Sequence, residues 1–117
     1  MKTENWRKEY DYVGSFSEEL ACVSKDDKWG FVNKQGKIVI PLKYDYVGSF
    51  NEGLADVRKD GKWGFINKQG KVVIPIKYDL VYNIGNFRKF GFSEGFADVE
   101  KDGLCGVIDK QGIEKWD

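Results

Sequence analysis

A chain of 117 residues with 19 basic and 19 acidic side chains carries no net charge, so nothing draws it in general toward nucleic acid or an anionic membrane. It holds no histidine, which removes Ser-His and Cys-His nucleophile pairs and most zinc or iron sites. No apolar run nears the roughly 18 residues of a membrane span and no basic-then-apolar leader opens the chain, so a soluble, cytoplasmic protein is expected.

The chain is a tandem repeat. Tyr10 to Lys43 recurs as Tyr44 to Lys77 at a spacing of 34 residues, with 26 of 34 positions identical. A third copy starts at Tyr78, is interrupted by eight extra residues between Val81 and Phe92, and runs on to Asp117. Residues 1–9 are the tail of an earlier unit, and a terminal strand is expected from Met1 to Arg7. Shifted by the repeat spacing, Trp6 falls on Ile40 and Ile74, and so does Trp116 from the other end. Both tryptophans are therefore expected to cap the array, since terminal units expose a face that internal units cover.

Within one copy, Leu54 to Lys59 and Lys62 to Asn67 flank Asp60-Gly61, a pair that accepts positive φ at both turn positions and so predicts a two-residue hairpin. Asn67-Lys68-Gln69-Gly70 predicts a longer turn, and Lys71 to Ile74 a third, β-branched strand that ends at Pro75. The segment around Tyr44, Asp45, Val47 and Phe50 has no sustained period and reads as an anchored connector. Gly64, with its copies Gly30 and Gly106, stands inside a strand and is expected where a neighbouring repeat packs closely. The predicted fold is thus all-β: three-stranded antiparallel meanders in tandem, stacked as an open twisted array within one domain. The alternative is a closed, pseudo-threefold, barrel-like array.

Catalytic constellations are scarce. Gly64 to Lys71 has the wrong glycine spacing for a phosphate loop, and Val72 stands where Ser or Thr would be needed. Asp45 and Glu52, with copies Asp11, Glu18, Asp79 and Glu94, would have to lie roughly 5 to 9 Å apart to act as a glycosidase pair. Their recurrence in every copy favours turn and loop ordering instead. Cys22 and Cys105 occupy different repeat positions without a CxxC partner, so both are expected as reduced thiols, with no metal and no cofactor.

Lys62-Trp63-Gly64-Phe65-Ile66-Asn67-Lys68-Gln69-Gly70 through Pro75, with Tyr78-Asp79 and the Phe-x-Glu-Gly-Leu-Ala pattern, resembles the bacterial WG-containing repeats, also called KWG repeats. The resemblance covers nearly the whole chain and implies a β-rich repeat domain serving as an interaction module, in a family that generally lacks an assigned activity. Departures fall at Cys105 and Val107 in the third copy and at Glu19 and Asp27 in the first.

Function is then expected where the copies differ. The insertion carries two aromatics flanking a basic pair, and insertions into repeat arrays collect on the binding face. A protein partner is expected to contact Tyr82, Asn86, Phe87, Arg88, Lys89, Phe90, Glu94 and Asp98, and a small binder or inhibitor of a larger protein would look like this. The alternative is a glycan or cell-surface polymer stacked on Trp29, Tyr44, Tyr46 and Trp63. A solvent-accessible row of Trp29 and Trp63 favours the glycan; buried tryptophans together with a protruding insertion favour the protein.

Overall fold

The computed structural model describes residues 5–82 and 95–116. A short 3-10 turn, Asn5–Glu9, opens it and occupies the last three residues of the terminal strand expected at Met1 to Arg7, whose first four lie outside the described residues. Twelve strands follow: β1 (Tyr12–Val13), β2 (Ala21–Lys25), β3 (Lys28–Val32), β4 (Ile38–Tyr44), β5 (Tyr46–Val47), β6 (Leu54–Lys59), β7 (Lys62–Asn67), β8 (Val72–Tyr78), β9 (Leu80–Tyr82), β10 (Phe96–Lys101), β11 (Leu104–Asp109) and β12 (Glu114–Trp116). They form three antiparallel sheets of four strands, one per repeat, ordered β1-β2-β3-β4, β5-β6-β7-β8 and β9-β10-β11-β12. The fourth strand of each sheet comes from the connector, whose two or three paired residues are too few to show a period.

The sheets stack as an open array. Its extents of 54 × 27 × 25 Å are those of a column, and no sheet closes on itself among the described residues. Leu20, Phe31, Ile40 and Tyr44 of the first sheet pack on Ala55, Val57 and Ile66 of the second, with Phe50 fixed 4.7 Å from the Phe31 ring. Leu54, Phe65, Ile74 and Tyr78 of the second sheet pack in the same way on Ala97, Val99 and Ile108 of the third. These two cores are each shared by two repeats, so neither repeat encloses that apolar face alone.

Trp6 caps the array as the register demands. A Cβ on Gly36 would lie 2.4 Å from the Trp6 ring, while Gly70 sits over Ile40 at 3.3 Å and Gly112 over Ile74 at 3.8 Å. One contact thus occurs three times, with Trp6 supplying the residue that a preceding repeat would have supplied. Beneath it Ala21, Val23 and Val32 are covered by Trp6, Tyr10 and Phe16. Trp116 behaves differently: it packs on the Tyr78 ring, on the inner side of the third sheet, while Phe96 and Leu104 on that sheet stay exposed. It lies at the margin of the second core, against Tyr78, and does not cover Phe96 and Leu104.

The predicted turns form. Asp60 and Gly61 have φ of 53° and 80°, Asp102 and Gly103 of 52° and 81°, and Asp26 and Asp27 of 54° and 67°. Asp27 alone of the second turn residues lacks glycine's freedom at positive φ, so Asp27→Gly is expected to stabilise the protein by up to about 1 kcal/mol in urea unfolding.

The carboxylates serve these turns across the array. Asp45 accepts from the Asp60 peptide N–H at 2.8 Å and from Lys28 Nζ at 2.8 Å, and Asp11 and Asp79 hold the turns at Asp26 and Asp102 likewise. Glu18 accepts from the Gly53 N–H and Glu52 from the Gly95 N–H, both at 2.9 Å, so each glutamate ties its repeat to the next.

Two local expectations are corrected. Pro75 does not end its strand: β8 runs through it to Tyr78, and β4 runs through Pro41, because the register between Trp63 and Phe65 shifts there and the proline faces no ladder acceptor. The same irregularity explains Gly64. A Cβ there would fall 2.6 Å from the Ile74 carbonyl oxygen and 2.7 Å from Ile76 Cα, so the close neighbour is the bent strand of its own repeat, not the next repeat.

Candidate functional site

Residues directly opposite one another across antiparallel strands share a face. In the first sheet Tyr12, Ser24 and Trp29 are in register across β1, β2 and β3, and in the second Tyr46, Arg58 and Trp63 are in register across β5, β6 and β7. The outer two rings of each row meet over the smaller or more flexible middle residue. Stacking then brings Tyr46 against Trp29, and a continuous line of rings results: Tyr12 to Trp29 at 5.5 Å, Trp29 to Tyr46 at 5.5 Å and Tyr46 to Trp63 at 5.9 Å. The planes are tilted by 57°, 61° and 71°, so edges and faces alternate along the row. Tyr12 is 53% exposed and Tyr46 45%, while both tryptophans are half-buried. In the third sheet the corresponding row is Leu80, Glu100 and Cys105, and the aromatic line stops.

Beside this row lies a cavity of about 620 Å³ between the first two repeats, walled by Tyr12, Trp29 and Tyr46 and reaching Cys22, Asn51 and Asp56. That volume falls in the usual range of ligand sites. Asp56 is 2% exposed. Burial pushes its carboxyl up to about 6, opposed only by a hydrogen bond from its own peptide group, and no cation lowers it. Gly48 makes room for it, because a Cβ there would fall 2.2 Å from Asp56 Oδ1. Burial, then the Asp56 carboxylate, the Cys22 thiol and Tyr12 push the Tyr46 phenol up, which places these polar groups around one space. Burial likewise raises the Cys22 thiol. A second groove, about 610 Å³, runs between the second and third repeats past Arg58, Trp63, Asp79 and Leu80.

Of the residues expected to meet a protein partner, Asp98 lies half-buried in β10, opposite Val107 and Tyr82. Asn86, Phe87, Arg88, Lys89, Phe90 and Glu94 lie outside the described residues, as does the side chain of Tyr82. The aromatic set divides: Tyr44 is 1% exposed and belongs to the first shared core, whereas Trp29, Tyr46 and Trp63 stand together in the row. Tyr12 and Asp56 were not singled out by the sequence. Among the described residues no three His, Cys, Asp or Glu side chains are grouped so as to hold a metal ion.

The model of the WG containing repeat family matches residues 8–29, 29–63 and 63–88 in succession. The chain belongs to the WG containing repeat family. Two of the matched boundaries are Trp29 and Trp63, so consecutive WG units meet on the tryptophans of the aromatic row. No curated protein matches the chain. Among the described residues no helix is long and apolar enough to cross a membrane.

Proposed function

We propose that this WG repeat protein is a non-enzymatic module that binds a segment of a protein partner along the row Tyr12, Trp29, Tyr46, Trp63. The observation that carries this reading is the row itself: four rings cross two repeats with their tyrosines open to solvent, and tyrosine and tryptophan anchor protein interfaces more than other residues do. The repeated carboxylates support the absence of catalysis, since Asp45, Asp79, Glu18 and Glu52 are spent on backbone N–H groups. The insertion belongs to the same proposal. It follows β9, the counterpart of β5, and Gly48, Ser49 and Asn51, which continue β5, line the cavity. Contacts from Tyr82, Asn86 to Phe90, Glu94 and Asp98 would extend the surface to the third repeat. The free thiols of Cys22 and Cys105 support a cytoplasmic setting.

The exposed tyrosines also favour a second reading, a glycan stacked on the row. Against it, sugars stack on flat ring faces, and planes tilted by 57° to 71° offer no continuous platform. Screening a random peptide library and a polysaccharide panel separates the two. A selected peptide should lose at least roughly tenfold in affinity on Tyr12→Ala or Tyr46→Ala, with the thermal midpoint nearly unchanged. Unchanged affinity in both variants, or binding of polysaccharide but of no peptide, would overturn the proposal.

A further inference from the structure

We propose that the cavity between the first two repeats receives an alkylammonium group, such as the end of a lysine side chain, with Asp56 as its counter-ion and Tyr12, Trp29 and Tyr46 as its walls. This names the ligand chemistry of the site above and so rests on that reading. A carboxylate taken out of water needs a cation or several hydrogen-bond donors to offset the loss of hydration. Asp56 has neither among the described residues: only its own peptide group bonds it, and no lysine or arginine acts on it. Lys28 is committed to Asp45, and Arg58 lines the other groove.

Nor does the fold require an acid at this position. The first repeat places Cys22 there, with Gly14 over it as Gly48 lies over Asp56, and it forms the same strands. The carboxylate is therefore an addition to the scaffold, and glycine leaves it room. An ammonium entering the cavity would meet a carboxylate only 2% exposed and ring faces whose quadrupoles attract cations. A neutral alkyl chain would gain only the apolar walls.

The groups around Asp56 are Tyr46 on β5, Tyr12 on β1, Cys22 on β2 and Arg58 farther along β6, while the third sheet packs that face of the second with Ala97, Val99 and Ile108. None of these titrates between pH 5 and 8 in its ordinary form except the thiol at the upper end, and burial moves that one higher. Binding should thus follow the ionisation of Asp56 alone.

The test is a titration with Nα-acetyl-lysine methylamide, and with its norleucine counterpart, followed by tryptophan emission, since Trp29 lines the cavity. The lysine probe should give a saturable change at pH 8, bind about tenfold more weakly at pH 5, and lose binding in Asp56→Asn; the norleucine probe should give none of this. In the wild-type protein, saturating lysine probe should also lower the midpoint of the Asp56 carboxyl resonance, a readout that needs no variant. Equal binding of the two probes, retained binding in Asp56→Asn, or an unmoved midpoint overturns the proposal. If these fail while a library peptide still depends on Tyr46, the ammonium site is wrong and the binding row stands. If Tyr12→Ala and Tyr46→Ala both leave peptide binding intact, the parent reading fails instead.

Discussion

Gly64→Ala is expected to destabilise the protein by about 3 kcal/mol or more, the upper end of what overpacking costs. The added methyl would fall within 2.7 Å of the Ile74 and Pro75 carbonyl oxygens and of Ile76 Cα. These are backbone atoms of a strand held in its sheet on one side and in the shared core on the other, so there is no flexible side chain to turn away. Gly61→Ala supplies the control. Nothing lies within 4 Å of a Cβ at Gly61, so that variant bears only the strain of φ near 80°, about 1 kcal/mol. Urea unfolding of the two variants side by side checks the contrast; comparable costs would mean that the bend in β8 yields.

Asp56→Asn is expected to stabilise the protein at neutral pH by about 3 kcal/mol, the equivalent of moving a carboxyl from its usual 3.8 to about 6. Because the folded state raises this acid's pKa, it holds the proton more tightly than the unfolded chain does. Stability is then highest with Asp56 protonated, below pH 4, and declines as pH rises from about 4 to about 6, beyond which the loss is complete. The advantage of asparagine should follow that window: nearly absent at pH 3.5, full at pH 7. Asp45 and Asp79, whose carboxylates are held below their ordinary range chiefly by hydrogen bonds from Lys28 and Lys62, weaken both proteins in acid and cancel in the difference. Denaturant midpoints at the two pH values provide the measurement. A residue that lowers stability at working pH is one that a binding site retains and a scaffold would discard.

What could be read in advance follows from how local the physics is. The hairpin at Asp60-Gly61 depends on two φ angles, and the cap at Trp6 on a register that the repeat itself supplies; both are legible in the letters. Tyr46 and Val47 form a strand only because β6 offers them an edge, and two residues carry no period of their own. Pro75 reads as a stop until the bulge opposite Gly64 shows that its missing N–H is not needed there.

Asp56 is the more instructive case. It stands where copies differ, Cys22 against Asp56 and Asp98, which is where function was to be sought, yet in the β6 alternation it shares a side with the exposed Arg58 and passes for a surface residue. Its burial comes with Gly48, which lies against it from the neighbouring strand segment, a contact that the alternation of β6 alone does not reveal. The insertion is legible because it lengthens its copy, a feature any alignment of the copies reveals; a single exchanged side chain leaves no such mark.

The most direct measurement is the pH titration of the Asp56 carboxyl carbon by NMR in the unliganded protein. A midpoint near 6 is expected, set by burial without a cation. A midpoint near the ordinary 3.8 would show that Asp56 is solvated or already paired, and the cavity between the first two repeats would then lose its claim to be the binding site.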